Sequence, residues 1–162
     1  MLHLNRKTEY ALLALEHMCL KEGEKGARTS TREVSEVYHI PYPLLAKVMQ
    51  ELSRRGFLKS LYGMNGGYVL AKRASNITVA DIAQIFEGPL AVAECLRDAK
   101  ITCPQWNDCL IKDPFYELNR KLHELLVDMT VENLALSNAN RELAALASLH
   151  QLSKGSEKGS TR

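Results

Sequence analysis

The chain has no apolar run approaching the roughly 20 residues that cross a bilayer, so no membrane-spanning helix is expected. Its first segment, Met1 to Cys19, is broken by charged residues and lacks the continuous apolar stretch of a secretion signal, so a cytoplasmic protein is expected. Also missing are a Walker phosphate loop, the glycine pattern of a dinucleotide-binding turn, an H-E-x-x-H metal helix and any nucleophile paired with a base. The five histidines, His3, His17, His39, His123 and His150, are scattered along the chain. No enzyme is expected. Net charge is only +2, but 12 Lys and Arg stand against 7 Asp and Glu up to Ser75, and 9 against 12 from Asn76 onward. A basic N-terminal half suits a polyanion, whereas the acidic half needs another role.

Cysteine is scarce, yet three of the four, Cys95, Cys103 and Cys109, fall close together in a stretch without helix or strand periodicity. Seven residues separate the first pair and five the second, wider than the C-x-x-C of zinc knuckles and redox turns. Secreted disulfides do not fit the expected compartment. Inert buried thiols do not fit a segment carrying Arg97, Asp98, Lys100, Asn107 and Asp108. The spacing points to a larger inorganic body, an iron–sulfur cluster held by thiolates. Three cysteines are one short of the usual four ligands, so the fourth must come from elsewhere. An alternative keeps the thiols but dispenses with the cluster, letting oxidants act on them directly. Cys19 shares a helical face with Leu12 and Leu15 and is read as core.

The basic half has the order of a winged helix. A first amphipathic helix is predicted over about Arg6 to Leu20. After a charged loop, Ser30 with Glu33 forms a capping box opening a short helix that ends near Tyr38. His39-Ile40-Pro41-Tyr42-Pro43 cannot continue it, but Pro43 can open the next helix, in which Leu44, Leu45, Val48, Met49 and Leu52 keep helical spacing. Helix, tight turn and longer helix make a helix-turn-helix. Two short strands, Phe57 to Tyr62 and Gly67 to Ala71, then flank Gly63-Met64-Asn65-Gly66, whose Asn-Gly is a strong hairpin signal. Duplex DNA is the expected partner. The start of the second helix would meet the major groove through Tyr42, Pro43 and Lys47, and the wing would present Tyr62, Met64, Asn65 and Gly66 to the minor groove or the phosphates. Arg32, Arg54 and Lys59, with Arg55, Lys72 and Arg73, would supply phosphate contacts.

In the acidic half, Thr78 and Asp81 cap a helix bearing Val79, Ile82, Ala83 and Phe86 that Gly88-Pro89 stops. Beyond the cysteines, Asp113-Pro114 reads as the start of a long helix whose Phe115, Leu118, Leu122, Leu125 and Met129 recur in steps of three and four. That a/d seam predicts a homodimer, whose twofold symmetry would match paired DNA half-sites. Thr130 caps a further helix containing Leu134, and from Ser153 onward a disordered tail is expected. The fold class expected is mainly α with a small β-hairpin wing. The divisions are 1–88 for a winged helix-turn-helix DNA-binding domain, 89–112 for a cysteine cluster-binding loop, 113–152 for the dimerisation helix and C-terminal helices, and 153–162 for the tail.

Taken in order, Thr8-Glu9-Tyr10-Ala11-Leu12, Gly63-Met64-Asn65-Gly66-Gly67-Tyr68, Ile77-Thr78-Val79, the three cysteines and Thr130-Val131-Glu132-Asn133-Leu134 resemble the Rrf-two (Rrf2) family of winged-helix transcription regulators. Iron–sulfur members of that family, the IscR-, NsrR- and RirA-like groups, bind a 2Fe–2S or 4Fe–4S cluster whose state changes DNA affinity. The resemblance covers Leu4 to Leu136 and implies a cluster-controlled regulator, a repressor, responding to iron, nitric oxide or redox state. Where IscR-like proteins have a histidine ligand, this chain has Lys112, a poor ligand while charged, which favours 4Fe–4S over 2Fe–2S. Glu9 matches the acidic ligand that NsrR-like proteins take from the partner subunit, so the resemblance implies Cys95, Cys103, Cys109 and Glu9 as the ligand set. Tyr62 stands where many members have a wing arginine, and Ala46 where IscR-like proteins have a base-contacting glutamate. Both imply a different operator.

Overall fold

The computed structural model describes residues 3–22, 27–63, 66–97, 103–138 and 140. Met64 and Asn65 at the wing tip and the 153–162 tail lie outside the described residues. Seven helices and one two-stranded antiparallel sheet are present among them: α1 (Arg6–Lys21), α2 (Thr31–Val37), α3 (Tyr42–Arg54), β1 (Leu58–Leu61), β2 (Gly67–Leu70), a 3₁₀ turn (Ala74–Asn76), α4 (Val79–Phe86), α5 (Glu94–Arg97), α6 (Lys112–Asp128) and α7 over 131–138. This is the expected mainly α winged-helix class.

Local chemistry sets each boundary. Asn5 opens α1, its side-chain oxygen accepting from the Lys7 and Thr8 amides. Ser30 caps α2 by accepting from the Glu33 amide, but the Glu33 carboxylate turns away to Lys21 and His17, so half of the expected capping box serves a tertiary contact. The α2–α3 turn ends before its prolines: His39 takes a left-handed φ of 53°, and the Ile40 amide reaches back to the Ser35 carbonyl at 3.0 Å. Gly56 (φ 76°) closes α3 the same way, with Phe57 N–H donating to the Leu52 carbonyl at 2.9 Å.

The hairpin register pairs Leu58 with Leu70 and Leu61 with Gly67, leaving 62–66 as the connection. This is longer than the two-residue turn that Asn-Gly alone suggests, and it closes through Gly66 N–H to the Gly63 carbonyl at 2.9 Å. Thr29 adds a bridge to Tyr68 on the outer side of β2.

The core gathers Ala11, Ala14, Leu15 and Met18 of α1, Val34 of α2, Leu45, Val48, Met49 and Leu52 of α3, and Ile82 of α4. Each fully buried side chain of this size stabilises the fold by about 1.5–3 kcal/mol relative to exposure. Val131 of α7 is completely buried in the same cluster. The chain reaches it through a bridge between Thr78 and Thr130, where Val79 N–H donates to the Met129 carbonyl and Val131 N–H to the Ile77 carbonyl. Thr130 caps α7 by accepting from the Asn133 amide, and Asn138 donates to Glu16 on α1.

Helix α6 differs from all of these. It begins at Lys112 with Ile111 in the cap position and no side-chain cap, two residues before the expected first helical residue Pro114, so Asp113 lies inside the helix rather than capping it, and none of its residues is buried. Within the expected seam, Phe115 and Leu122 are half-buried against the chain, while Leu118, Leu125 and Met129 are exposed, Leu125 to 58%.

Candidate functional site

Helix α3 presents Tyr42, Pro43 and Lys47 outward, Pro43 and Lys47 four residues apart on one face, while Leu45, Val48 and Met49 are buried in the core. Arg32 on α2 and Lys59 on β1 are also exposed. Arg54, also exposed, makes an ion pair within α3. It grips Glu51 with two hydrogen bonds of 2.8 and 2.6 Å, and Arg55 adds a third at 2.9 Å. Those hydrogen bonds hold the Glu51 carboxyl far below the usual carboxylate range, at about 2. The trio therefore offers DNA one net positive charge rather than two. Tyr62 stands almost wholly in solvent at the end of β1, and Lys72 places its ammonium 4.2 Å from the Phe57 ring centre at the hairpin base.

The three clustered cysteines converge. Cys95 sits on α5, a single helical turn that the sequence pattern does not reveal, Cys103 opens a run of turns, and Cys109 precedes α6. All three line one cavity of about 200 Å³, walled by Leu96, Trp106, Ile111 and Phe115 and joined by Lys112. Among the described residues, no group of three or more His, Cys, Asp or Glu is gathered closely enough to hold a metal ion. Soft thiols against apolar walls suit a sulfur-rich cluster in donor type and enclosure, but the lining supplies no fourth donor. Glu9 is not part of it: at the start of α1, 42% exposed, it pairs with Arg6 at 3.0 Å.

Two residues of the site, Trp106 and Asn119, were not read from the sequence. Lys112 lies 5.0 Å from the centre of the Trp106 ring, which stacks edge-on against Tyr116, so the cation is held by aromatic contact. Trp106 is the chain's single tryptophan and falls between two clustered cysteines, a signal that was available. Asn119 on α6 accepts from the Val92 amide at 3.1 Å and ties the cysteine segment to that helix. Cys19 packs against the core as expected, and burial, with Glu22, Glu132 and Glu16 nearby, pushes its thiol up, away from reactivity.

One polar junction links the two regions. Glu87, which caps the end of α4 immediately before the cysteine segment, accepts from the Asn5 amide at 2.6 Å and from the Thr8 hydroxyl at 2.7 Å, while the Asn5 side chain donates to the Phe86 carbonyl at 3.0 Å. The N-terminus of α1, with Glu9 on its first turn, is thus fastened to the segment that leads to Cys95.

A helix-turn-helix with an exposed basic recognition face and a hairpin wing defines a winged-helix DNA-binding protein. The chain belongs to the Rrf2 family, whose model, an iron-dependent transcriptional regulator, matches residues 4–137. It is 31% identical over 133 residues to protein aau3 of Rhizobium meliloti, covering 82% of this chain and 84% of that one. It is 29% identical over 136 residues to the HTH-type transcriptional regulator NsrR of Shouchella clausii, covering 84% and 90%. Among solved structures, CymR (YrzC), the global cysteine regulator of B. subtilis, superposes with a TM-score of 0.68 at 26% identity over 85% of this chain and 98% of that one. The protein is a transcription regulator of this family, not an enzyme. No helix among the described residues is long and apolar enough to cross a membrane.

Proposed function

We propose that the protein is a homodimeric repressor whose affinity for an operator is set by the state of the Cys95–Cys103–Cys109 cavity. The observation that carries this reading is the convergence of the three cysteines on one apolar-walled cavity, one junction away from the first helix of the DNA-binding head. Residues 1–88 would engage DNA through Arg32, Tyr42, Pro43, Lys47, Arg54, Lys59 and the wing residues Tyr62, Met64, Asn65 and Gly66. Residues 89–112 would sense. Residues 113–152 would pair the subunits through Leu118, Leu125 and Met129, with Phe115 and Leu122 packing behind them. The compartment is the cytoplasm.

Cys95, Cys103 and Cys109 would hold an iron–sulfur cluster, 4Fe–4S rather than 2Fe–2S, with Glu9 of the partner subunit as the fourth ligand. When bound, such a cluster supplies a chemically labile centre for iron, nitric oxide or oxidants. The rest is the chain's own work. Apolar walls at Leu96, Trp106 and Phe115 restrict water, and Asn119 fixes the segment on α6. Glu87 carries any shift of that segment to Asn5 and Thr8, since a carboxylate holding two donors moves with them or loses both.

A second reading rests on two observations. The chain is similar in fold to a global cysteine regulator, and the described residues gather no metal-holding group. In that reading the same thiols respond to oxidants as sulfenate or disulfide. Anaerobic purification followed by visible absorbance and native mass spectrometry tests both. A coloured dimer carrying iron and sulfide, lost in Cys103→Ala, is expected. A colourless wild-type protein whose DNA binding responds to peroxide through Cys95, Cys103 or Cys109 would establish the thiol switch instead.

A further inference from the structure

We propose that the wing reads DNA without charge, through the Tyr62 ring seated in the minor groove. This inference rests on the DNA-binding reading above and deepens it. From Ser60 to Ala71 the sequence contains no Lys, Arg, Asp or Glu. The hairpin's cations stand at its base: Lys59 faces Val69 across the ladder, and Lys72 is held over the Phe57 ring. Tyr62 lies three residue steps beyond Lys59, on the order of 10 Å at the usual strand rise. That is about one Debye length in physiological salt, so the base charges act weakly on whatever the tip touches. A tip built for phosphates would carry its cations forward.

Tyr62 is 94% exposed, the most exposed aromatic among the described residues, and it sits where β1 ends and the connection begins. A single exposed apolar residue is ordinary on a protein surface. Here it projects at the start of a connection whose sequence carries no charged residue. The Gly66 amide closes the turn on the Gly63 carbonyl, a Cβ at Gly66 would come within 2.8 Å of the Leu61 carbonyl oxygen, and one at Gly67 within 2.9 Å of the Thr29 carbonyl oxygen. Gly66 and Gly67, at the start of the returning strand, are pressed against two backbones and have little freedom to lose on binding. A flat amphipathic ring standing clear of the hairpin fits a narrow groove. The ring packs against deoxyribose faces and base edges, as apolar wedges do in minor-groove binding, and its hydroxyl stays at the wet rim.

The test uses the full-length protein and a duplex that it selects from a random-sequence library, with affinity measured by fluorescence anisotropy from about 50 to about 200 mM salt. Tyr62→Ala should weaken binding roughly tenfold while the slope of log affinity against log salt stays as in wild type, because no phosphate contact is lost. Tyr62→Phe should bind within about twofold of wild type, since the ring and not the hydroxyl makes the contact. Tyr62→Arg should steepen the slope by about 0.9 per wing. Melting temperatures equal to wild type establish that each variant is folded. Wild-type affinity in a folded Tyr62→Ala protein overturns the proposal, as does equal weakening in Tyr62→Phe, which would assign the contact to the hydroxyl. A wild-type protein that selects no duplex at all would instead overturn the DNA-binding reading on which the proposal stands.

Discussion

The winged-helix head and helix α6 are built on opposite principles. In the head, apolar side chains are enclosed and helix ends carry side-chain caps or glycine stops, as at Asn5, Ser30, Thr78 and Gly56. Along α6 no residue is buried, and Leu118, Leu125 and Met129 are left exposed among the described residues. Its charges are spent locally, Arg120 pairing with Glu117 and Glu124. The head is finished by its own sequence. The long helix is not finished within the described residues, and the proposed dimer would cover its apolar stripe.

The sharpest way to break this contrast is to charge each side. Leu125→Asp would place two unpaired carboxylates in the proposed seam of a dimer, costing about 3–5 kcal/mol of association, with monomers seen in sedimentation and the head's far-ultraviolet dichroism retained. Leu52→Ala should act the other way, lowering head stability by about 2–5 kcal/mol in urea melts with the oligomeric state preserved while folded. Next in size is Glu87→Gln at the junction between the regions. Losing an ionised acceptor for the Asn5 amide and Thr8 hydroxyl should cost about 1–3 kcal/mol, and the response of DNA affinity to the cysteine cavity should shrink with it.

The smallest expected effect is a pH dependence inside the head. Burial disfavours the charged Glu33, but hydrogen bonds from Lys21 at 2.6 Å and His17 at 2.9 Å outweigh it and hold the carboxyl below its ordinary value. A carboxyl depressed in the folded state stabilises it above its unfolded pKa, and that contribution is lost as pH falls through the folded value. Thermal stability should therefore drop below about pH 4.3, and Glu33→Gln should flatten that limb.

The legible parts of the molecule are those with local causes. Capping by Ser30 and Thr78, the stop at Gly56 and the period of Leu45, Val48, Met49 and Leu52 depend on neighbours in sequence, and each stands as expected. The illegible parts depend on contacts that neither propensity nor periodicity names. His39 is not a residue that announces a left-handed turn; the Ser35 carbonyl and the prolines that follow impose it. Nothing in the helical period of α3 announces that Arg54 pairs with Glu51, three residues earlier. Clustering alone pointed to Cys95, Cys103 and Cys109 as a site, but Lys112 and Asn119 joined it only because α6 folds back along the segment. Which seam residues face outward was likewise hidden: Phe115 and Leu122 share the heptad spacing of Leu118 and Leu125 and differ only in what packs beside them.

The bridge at Thr78 and Thr130 also bears on how the protein is made. Val131 completes a core whose other members lie between Ala11 and Ile82, so the DNA-reading head contains a piece synthesised last. Chains elongate at about 5–20 residues per second, and the roughly 50 residues between Ile82 and Val131 hold the head unfinished for seconds. The cysteine segment and α6 are thus synthesised before the core that carries the recognition helix is complete. A chain that stops before Val131 lacks that buried side chain and should show a lower urea midpoint for the head than the full chain.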